Sequence, residues 1–471
     1  MQRPAGDLQL PRRRRPGPDS GWWLVAAGLA FTAAQLAFIT PRMGLSWDES
    51  VYVSQVSGHA PAAFFDPARA RGVPMIVAPV ALLTGSVAAL RVYLSVLSGV
   101  ALALALWTWR PLRPAWVLGL AGVIFGGLWV AEYYGPQAMP DMWSAFGGLA
   151  AVGCFLRWAR ERDGRWALGG LGVSVAFVTL VRPGDAVYLA APLVAAAAGW
   201  RNWRPVAAIG CGLLAGGAEW VIEAFVRFGG ITSRLHAAGA EQGGFGLHFA
   251  LPDELRALNG PTLCRPCVIG VRDPGLDLWW LALPLLVAAG IIAARHAGQL
   301  ATGLLPAVCG LCLAAQYLFM INYAAPRFLL PAYALFAIPV ADALALAITG
   351  VSRDMRPAVT AVVTCFLVVQ LFTQHLVLDH EVGGTVRFHD DYSRIATVLA
   401  EHGVRPPCLI KGVQYIPIAF YAGCASSGAP APGEPVAALV QTIGKPPAWA
   451  RSWRVYRITG TSVLKVNAFI R

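Results

Sequence analysis

Asp48 and Glu49 stand side by side in Trp47-Asp48-Glu49, shortly after an uncharged apolar run from about Trp22 to Ile39. That run is long enough to cross a bilayer, so the two carboxylates lie where a membrane helix surfaces. There they serve either as solvated loop charges or as acid/base groups at the membrane face. Further ionisable residues fall beside hydrophobic segments: Glu132, Asp141, Arg182, Asp185, Glu219, Glu223 and Arg327. Ionisable groups at membrane depth are costly and face interiors or cavities, which makes them functional candidates. Asp141 follows Pro140 and opens a hydrophobic segment, either as a helix N-cap or as a site carboxylate. Glu219 and Glu223 share one helix face, where like charges imply a watery cavity or a cation between them. Arg327 opens a helix after Asn322–Pro326, where it either snorkels to lipid headgroups or clamps a phosphate bidentately.

The elements that must carry these groups are membrane helices. Of the 471 residues, 57% are hydrophobic and 13% charged, with a mean hydropathy of +0.57. A soluble chain carries roughly 25% charged residues, so this composition excludes a soluble globular class. Hydrophobic runs separated by breakers give about eleven candidate spans. After the first, they fall near Ser86–Trp109, Ala115–Ala131, Met142–Trp158, Trp166–Val181, Ala186–Gly199, Pro205–Phe225, Leu278–Ala294, Ala301–Ile321, Phe328–Gly350 and Pro357–Leu378. Pro74–Leu83 is too short to span and reads as a re-entrant or interfacial helix.

Arginine dominates the net charge of +12, since Lys411, Lys445 and Lys465 are the only lysines. Arg12–Arg15, Arg110/Arg113, Arg157–Arg165, Arg201/Arg204, Arg295 and Arg353/Arg356 all fall on one side of that layout. The positive-inside rule therefore predicts a cytoplasmic basic tail (1–20), a transmembrane domain (21–380) with outer loops 40–85 and 227–277, and an extracytoplasmic region (381–471). In the last region Asp391–Glu401 has helical spacing, and Pro407–Ile410 reads as a strand. Tyr415–Tyr421 reads as a helix, Val436–Gln441 as another, and Trp453–Ile458 and Ser462–Phe469 as strands. The expected fold class is an all-α polytopic membrane protein with a small extracytoplasmic α/β C-terminal domain.

Cys264, Cys267, Cys408 and Cys424 lie in the outer regions and are disulfide candidates, whereas Cys154, Cys211, Cys309, Cys312 and Cys365 lie within spans. Cys264-Arg-Pro-Cys267 also has half-zinc spacing, but no second metal-ligand pair accompanies it. Nucleophile triads, phosphate-cradling glycine loops and nucleic-acid modules are absent, and no nucleic-acid partner is expected. The arginine-rich, Ala/Gly/Pro-rich composition points to a GC-rich bacterial genome and hence a plasma membrane.

Asp-Glu in the first outer loop, Asp141 opening the fourth span, Gly85–Arg91 (Gly-Ser-x-x-x-x-Arg) and Arg327-Phe-Leu-Leu-Pro-Ala-Tyr333 together resemble the GT-C membrane glycosyltransferases. The nearest branch is that of protein O-mannosyltransferases and lipid A aminoarabinose transferases. The resemblance covers roughly Trp22 to Leu378. The Arg182-Pro183-Gly184-Asp185 turn and the Cys264/Cys267 loop depart from that branch. The resemblance implies transfer of a sugar from a polyprenyl-phosphate donor to a protein, lipid or glycan acceptor at the outer face. It implies Asp48 as general base, with Glu49 and Asp141 orienting the acceptor or holding a divalent cation. Arg327 with Arg91 or Arg182 would bind the donor phosphate, and Glu219, Glu223 and Tyr333 would line the substrate site. A transporter or flippase is the competing class; it usually shows paired repeats and helices broken at mid-membrane, neither of which the sequence displays.

Overall fold

The computed structural model describes residues 21–39, 43–161, 164–244, 246–427, 438–442 and 444–471. Arg12–Arg15, Arg162 and the Pro/Gly-rich 428–435 lie outside them. The chain is mostly helical and divides into two compact units. One takes in residues up to Ala34, Val96–Gly135 and Pro140–Leu378; the other takes in Gln35–Ser95, Pro136–Met139 and Asp379–Arg471.

The first unit is a helical bundle. Its elements include most of α1 (Trp22–Phe38), the C-terminal part of α4 (Val87–Trp107), α5 (Ala115–Gly126), α6 (Trp129–Tyr134), α7 (Pro140–Glu161), α8 (Arg165–Val181), α9 (Pro183–Gly199) and α10 (Trp203–Phe228). There follow α11 (Ile231–Glu241), α12 (Leu251–Ala257), α13 (Leu278–His296), α14 (Leu300–Phe319), α15 (Leu330–Thr349) and the first part of α16 (Arg356–Glu401). Helix α15 is apolar on all sides and buried from Leu330 to Ala341, as a helix without a polar face must be. Close helix contacts use small residues: a side chain at Gly216 of α10 would strike the backbone of Ala176 in α8, and one at Gly290 of α13 that of Pro339 in α15. Leu214, Phe225, Val362 and Phe372 are exposed, as apolar side chains on helices bathed in lipid should be.

Each of the eleven expected spans overlaps a helix, but among the described residues six helices are long and apolar enough to cross a membrane. The rest fall short for identifiable reasons. The third expected span breaks at Gly127-Leu128 into α5 and α6, α1, α8 and α9 are 17 residues each, and α7 carries charge at both ends. The expected interfacial Pro74–Leu83 forms the ten-residue α3 (Gly72–Ala81).

The second unit joins the loop after α1 to the C-terminal region. It contains α2 (Trp47–Ser54), α3, the start of α4, the end of α16, α17 (Tyr415–Ala422) and a mixed sheet ordered β2-β1-β3-β5-β4. Strands β1 (Leu409–Gly412), β2 (Ala425–Ser426) and β3 (Ala438–Thr442) run parallel; β5 (Val466–Ile470) is antiparallel to β3 and to β4 (Arg454–Arg457). Tyr392, Ile395 and Leu399 of α16 and Ile418 of α17 pack on Ile410, Val440 and Ala468 to form its core. The Asp391 carboxylate accepts the N–H groups of Ser462, Val463 and Leu464 at 2.6, 2.8 and 2.6 Å, fixing the turn into β5. The helix expected at Val436–Gln441 is instead β3 from Ala438, with 436–437 outside the described residues. It is bonded on both edges, and a short apolar run buried on both faces carries no periodicity that separates strand from helix. The loop expected to belong with the membrane domain sits in the unit of the sheet because α17 packs on α2. The Tyr415 ring meets Trp47 edge-on at 4.9 Å, and the Leu45 N–H donates to the Tyr421 hydroxyl at 2.8 Å.

Candidate active site

In the second unit the sequence Ser46-Trp47-Asp48-Glu49 starts a helix by a capping box. The Ser46 hydroxyl accepts the Glu49 N–H, and Glu49 Oε2 accepts the Ser46 N–H at 3.0 Å. Glu49 is therefore turned inward and fully buried. It meets Arg91, also fully buried, through both carboxylate oxygens, one at 2.8 Å. Arg91 further donates to the carbonyls of Met43 (3.1 Å), Gly44 and Pro136 (2.8 Å), while Glu49 Oε1 accepts the Ala138 N–H at 2.9 Å. Burial alone would raise the Glu49 carboxyl; the Arg91 charge and the N–H groups of Ser46 and Ala138 outweigh it and hold the pKa below its ordinary value.

Asp48 points the other way, with 30% of its side chain exposed in the first turn of α2. Arg69 donates to Asp48 Oδ1 at 2.7 Å, pairs with Asp66 and lies 4.8 Å over the Tyr52 ring. The result is an accessible, oriented carboxylate beside one bound shut.

In the first unit Pro140 starts α7 and Pro183 starts α9, placing Asp141 and Asp185 in first turns and Arg182 between two helices. Arg182 pairs with Asp141 Oδ1 and lies 3.6 Å from Asp185. Arg327, in the short 3-10 turn Pro326–Leu329 ahead of α15, lies 3.5 Å from Asp141 Oδ2. Both guanidiniums stack against Phe328, Arg182 at 5.1 Å and Arg327 at 5.2 Å. Asp185 is held by Ser144 and Gln316, each at 2.6 Å, and by the Tyr317 hydroxyl. Two cations thus converge on one buried carboxylate, and a phosphate needs such a paired clamp.

A solved structure of ArnT from Cupriavidus metallidurans bound to undecaprenyl phosphate matches this chain with a TM-score of 0.64 at 14% identity, over 95% of this chain and 98% of that one. AglB from Archaeoglobus fulgidus, an archaeal oligosaccharyltransferase in complex with an inhibitory peptide and a dolichol-phosphate, matches with a TM-score of 0.53 at 11% identity, over 90% and 69% of the two chains. The chain has the GT-C fold. No protein-family model and no curated protein sequence matches it.

Within this fold the remaining expected residues serve other contacts. Arg91, expected at a donor phosphate, is enclosed by Glu49 and three carbonyls. Glu223 holds Arg227 at 3.0 Å and Arg234 at 2.9 Å. Arg234, between Trp220 and Phe228, thus supplies positive charge where like-charged Glu219 and Glu223 suggested a cavity or bound cation. The Tyr333 hydroxyl accepts the Trp280 indole N–H at 2.8 Å, and its ring lies edge-on to Trp279 at 5.6 Å. Disulfides join Cys264 to Cys267 and Cys408 to Cys424. Among the described residues no group of three His, Cys, Asp or Glu side chains is placed to hold a metal ion.

Sequence reading missed Arg69 and Glu254. Arg69 sits in the plain loop Asp66-Pro67-Ala68-Arg69, and Glu254 follows Asp253 in what looks like a solvated turn. Glu254 is 2% exposed, and its Oε1 accepts the Ala325 N–H at 3.3 Å. Burial pushes its carboxyl up to about 8, against the Ala325 N–H and the Arg327 charge, which pull it down. Between 4.5 and about 8 the folded chain keeps a proton that the unfolded chain releases, so this group weakens the fold as pH rises. Glu254→Gln is expected to flatten that decline. The apparent melting midpoint, compared at about pH 5 and about pH 8, should fall more steeply in the parent than in the variant; parallel falls would refute the protonated state.

Proposed function

We propose that this protein is a multi-pass membrane glycosyltransferase that moves a sugar from a polyprenyl-phosphate donor to an acceptor hydroxyl on the extracytoplasmic face of a bacterial plasma membrane. The convergence of Arg182 and Arg327 on Asp141 within a GT-C fold carries this reading. In the reaction the acceptor oxygen attacks the anomeric carbon and the bond from that carbon to the phosphate oxygen breaks. The electron pair leaves with the polyprenyl phosphate, whose growing charge the two guanidiniums neutralise. Asp48 takes the acceptor proton, and Arg69 keeps its carboxylate oriented. Asp141 holds both arginines in place side by side until the phosphate arrives. The undecaprenyl phosphate of the ArnT structure and the dolichol-phosphate of the AglB structure support a polyprenyl carrier here. The acceptor is a lipid, protein or glycan of the cell envelope, and the arginine-rich loops support a cytoplasmic N-terminus.

Purified protein incubated with a panel of polyprenyl-phosphate sugars and envelope acceptors, with and without chelator, tests the reading. One donor is expected to yield labelled acceptor and free polyprenyl phosphate, and the chelator arm reads any divalent-cation requirement. Arg182→Ala and Arg327→Ala should each weaken donor binding by about tenfold or more, because each removes a charge-assisted contact worth roughly 1.5–3 kcal/mol. Donor binding that survives both substitutions would overturn the phosphate clamp.

A further inference from the structure

Arg327 owes its position to the three residues before it. Ala325 has the extended conformation that a following proline imposes, and Pro326 starts the 3-10 turn. Ala324 and Ala325 are fully buried, and their backbone groups are satisfied from elsewhere in the chain. The Cys264 N–H donates to the Ala324 carbonyl at 2.9 Å, and the Ala324 N–H donates back to the Cys264 carbonyl at 3.3 Å. The next N–H, that of Ala325, is taken by Glu254. Thus a two-residue bridge and a carboxyl grip consecutive peptide groups directly ahead of Arg327.

Both grips belong to one small assembly. Cys264 and Cys267 are disulfide-bonded, and Cys267 Sγ lies 3.7 Å from the carbonyl of Asp253, the neighbour of Glu254. Ala257 of α12, Cys264 and Ala324 form a buried cluster with Cys267 packed against it. Arg265, inside the disulfide loop, lies 4.7 Å over the Tyr323 ring and donates to the Glu241 carbonyl at 2.8 Å. The Tyr323 ring in turn meets Phe328 edge-on at 5.6 Å. A disulfide closing so short a loop adds little chain-entropy stabilisation, so its effect is local geometry.

We propose that the Cys264–Cys267 loop and Glu254 form a positioning clamp that aims Arg327 at the donor phosphate, making donor binding depend on an intact disulfide. The inference rests on the reading of Arg327 as a phosphate-binding residue. Glu254 and the cysteines are positioning residues that act through the backbone of Ala324 and Ala325. A buried ligand-clamping side chain displaced by even a small distance loses much of its effect. The disulfide also confines the working enzyme to an oxidising compartment.

The test measures undecaprenyl phosphate binding to the detergent-solubilised full chain, together with hydrogen exchange of the 324–329 backbone amides. Glu254→Ala and the double change C264S/C267S are each expected to weaken binding by about tenfold and to speed exchange in that segment. Glu254→Gln, which keeps the carbonyl acceptor for the Ala325 N–H, should restore binding to within about twofold of the parent. In steady-state assays both disruptive variants should raise the KM for donor while the KM for acceptor stays level. If Arg327→Ala weakens binding while Glu254→Ala and C264S/C267S do not, the clamp is wrong though the phosphate reading stands. If Arg327→Ala itself leaves binding unchanged, the phosphate reading fails and the clamp falls with it.

Discussion

Asp48→Asn is expected to lower sugar transfer by about 10²–10⁴-fold, the contribution of a positioned general base, while donor binding and folding persist. Asn keeps the shape of Asp and its Oδ1 still accepts from Arg69, so the loop geometry survives; only the capacity to take a proton is lost. The elements that hold α2 do not involve this side chain. Its N-terminus is capped by Ser46 and Glu49, its inner face is fastened by Arg91, and Trp47 packs on Tyr415. Asp48 also differs from its neighbour in the property that a base needs. It is 30% exposed, whereas Glu49 has no exposed surface to offer an acceptor hydroxyl. Rates of labelled-sugar transfer at saturating donor, with donor affinity measured separately, check the expectation. Turnover within about threefold of the parent would remove Asp48 from the reaction, since a lost general base costs far more.

The contrast between these adjacent carboxylates was invisible in the sequence. Trp47-Asp48-Glu49 reads as two equivalent acids at a membrane exit, and the choice between them is made by the capping box, which turns the third helical residue back toward Ser46. The partner that keeps Glu49 ionised, Arg91, lies 42 residues further along, so no local pattern connects them. Asp141 and Arg327 were legible because a charge beside an apolar run is expensive and stands out. The same cost argument also picked out Arg91 and Glu223, which the structure places in ion pairs with Glu49 and Arg234, because it flags every buried charge and cannot tell a ligand site from an internal ion pair. Glu254 escaped it from the other side: Asp253-Glu254 looks solvated, and only the packing of Ala257, Cys264 and Ala324 buries it. Helix positions followed directly from apolar runs, whereas β3 did not, since its strand character comes from neighbours on both edges.

The buried pair carries the second large effect. Glu49→Ala and Arg91→Ala are each expected to destabilise the protein by about 3–5 kcal/mol, the cost of leaving one member of a buried ion pair alone. Removing Glu49 leaves the Arg91 guanidinium, at zero exposure, with only the carbonyls of Met43, Gly44 and Pro136, and orphans the N–H groups of Ser46 and Ala138. Removing Arg91 leaves a buried carboxylate and three carbonyls without their donor. Combining the two changes removes both charges, so the double variant should be less damaged than the sum of the singles, with a coupling of about 2 kcal/mol or more. The lowered pKa of Glu49 adds a pH signature. A carboxyl held below its unfolded value of 4.5 contributes stability that is complete above that pH and is lost as pH falls through the lower folded value. Acid should therefore weaken the parent in a window below 4.5 where Glu49→Ala shows no further loss from this group. Unfolding of the four proteins in detergent, with undecaprenyl phosphate binding measured alongside, separates this role from the one that the sequence suggested. If Arg91 bound the donor phosphate, Arg91→Ala would weaken ligand binding and leave the melting midpoint intact. With Arg91 closed in by Glu49 and three carbonyls, the opposite pattern is expected: the fold weakens first, and binding and turnover fall only as far as the folded fraction does.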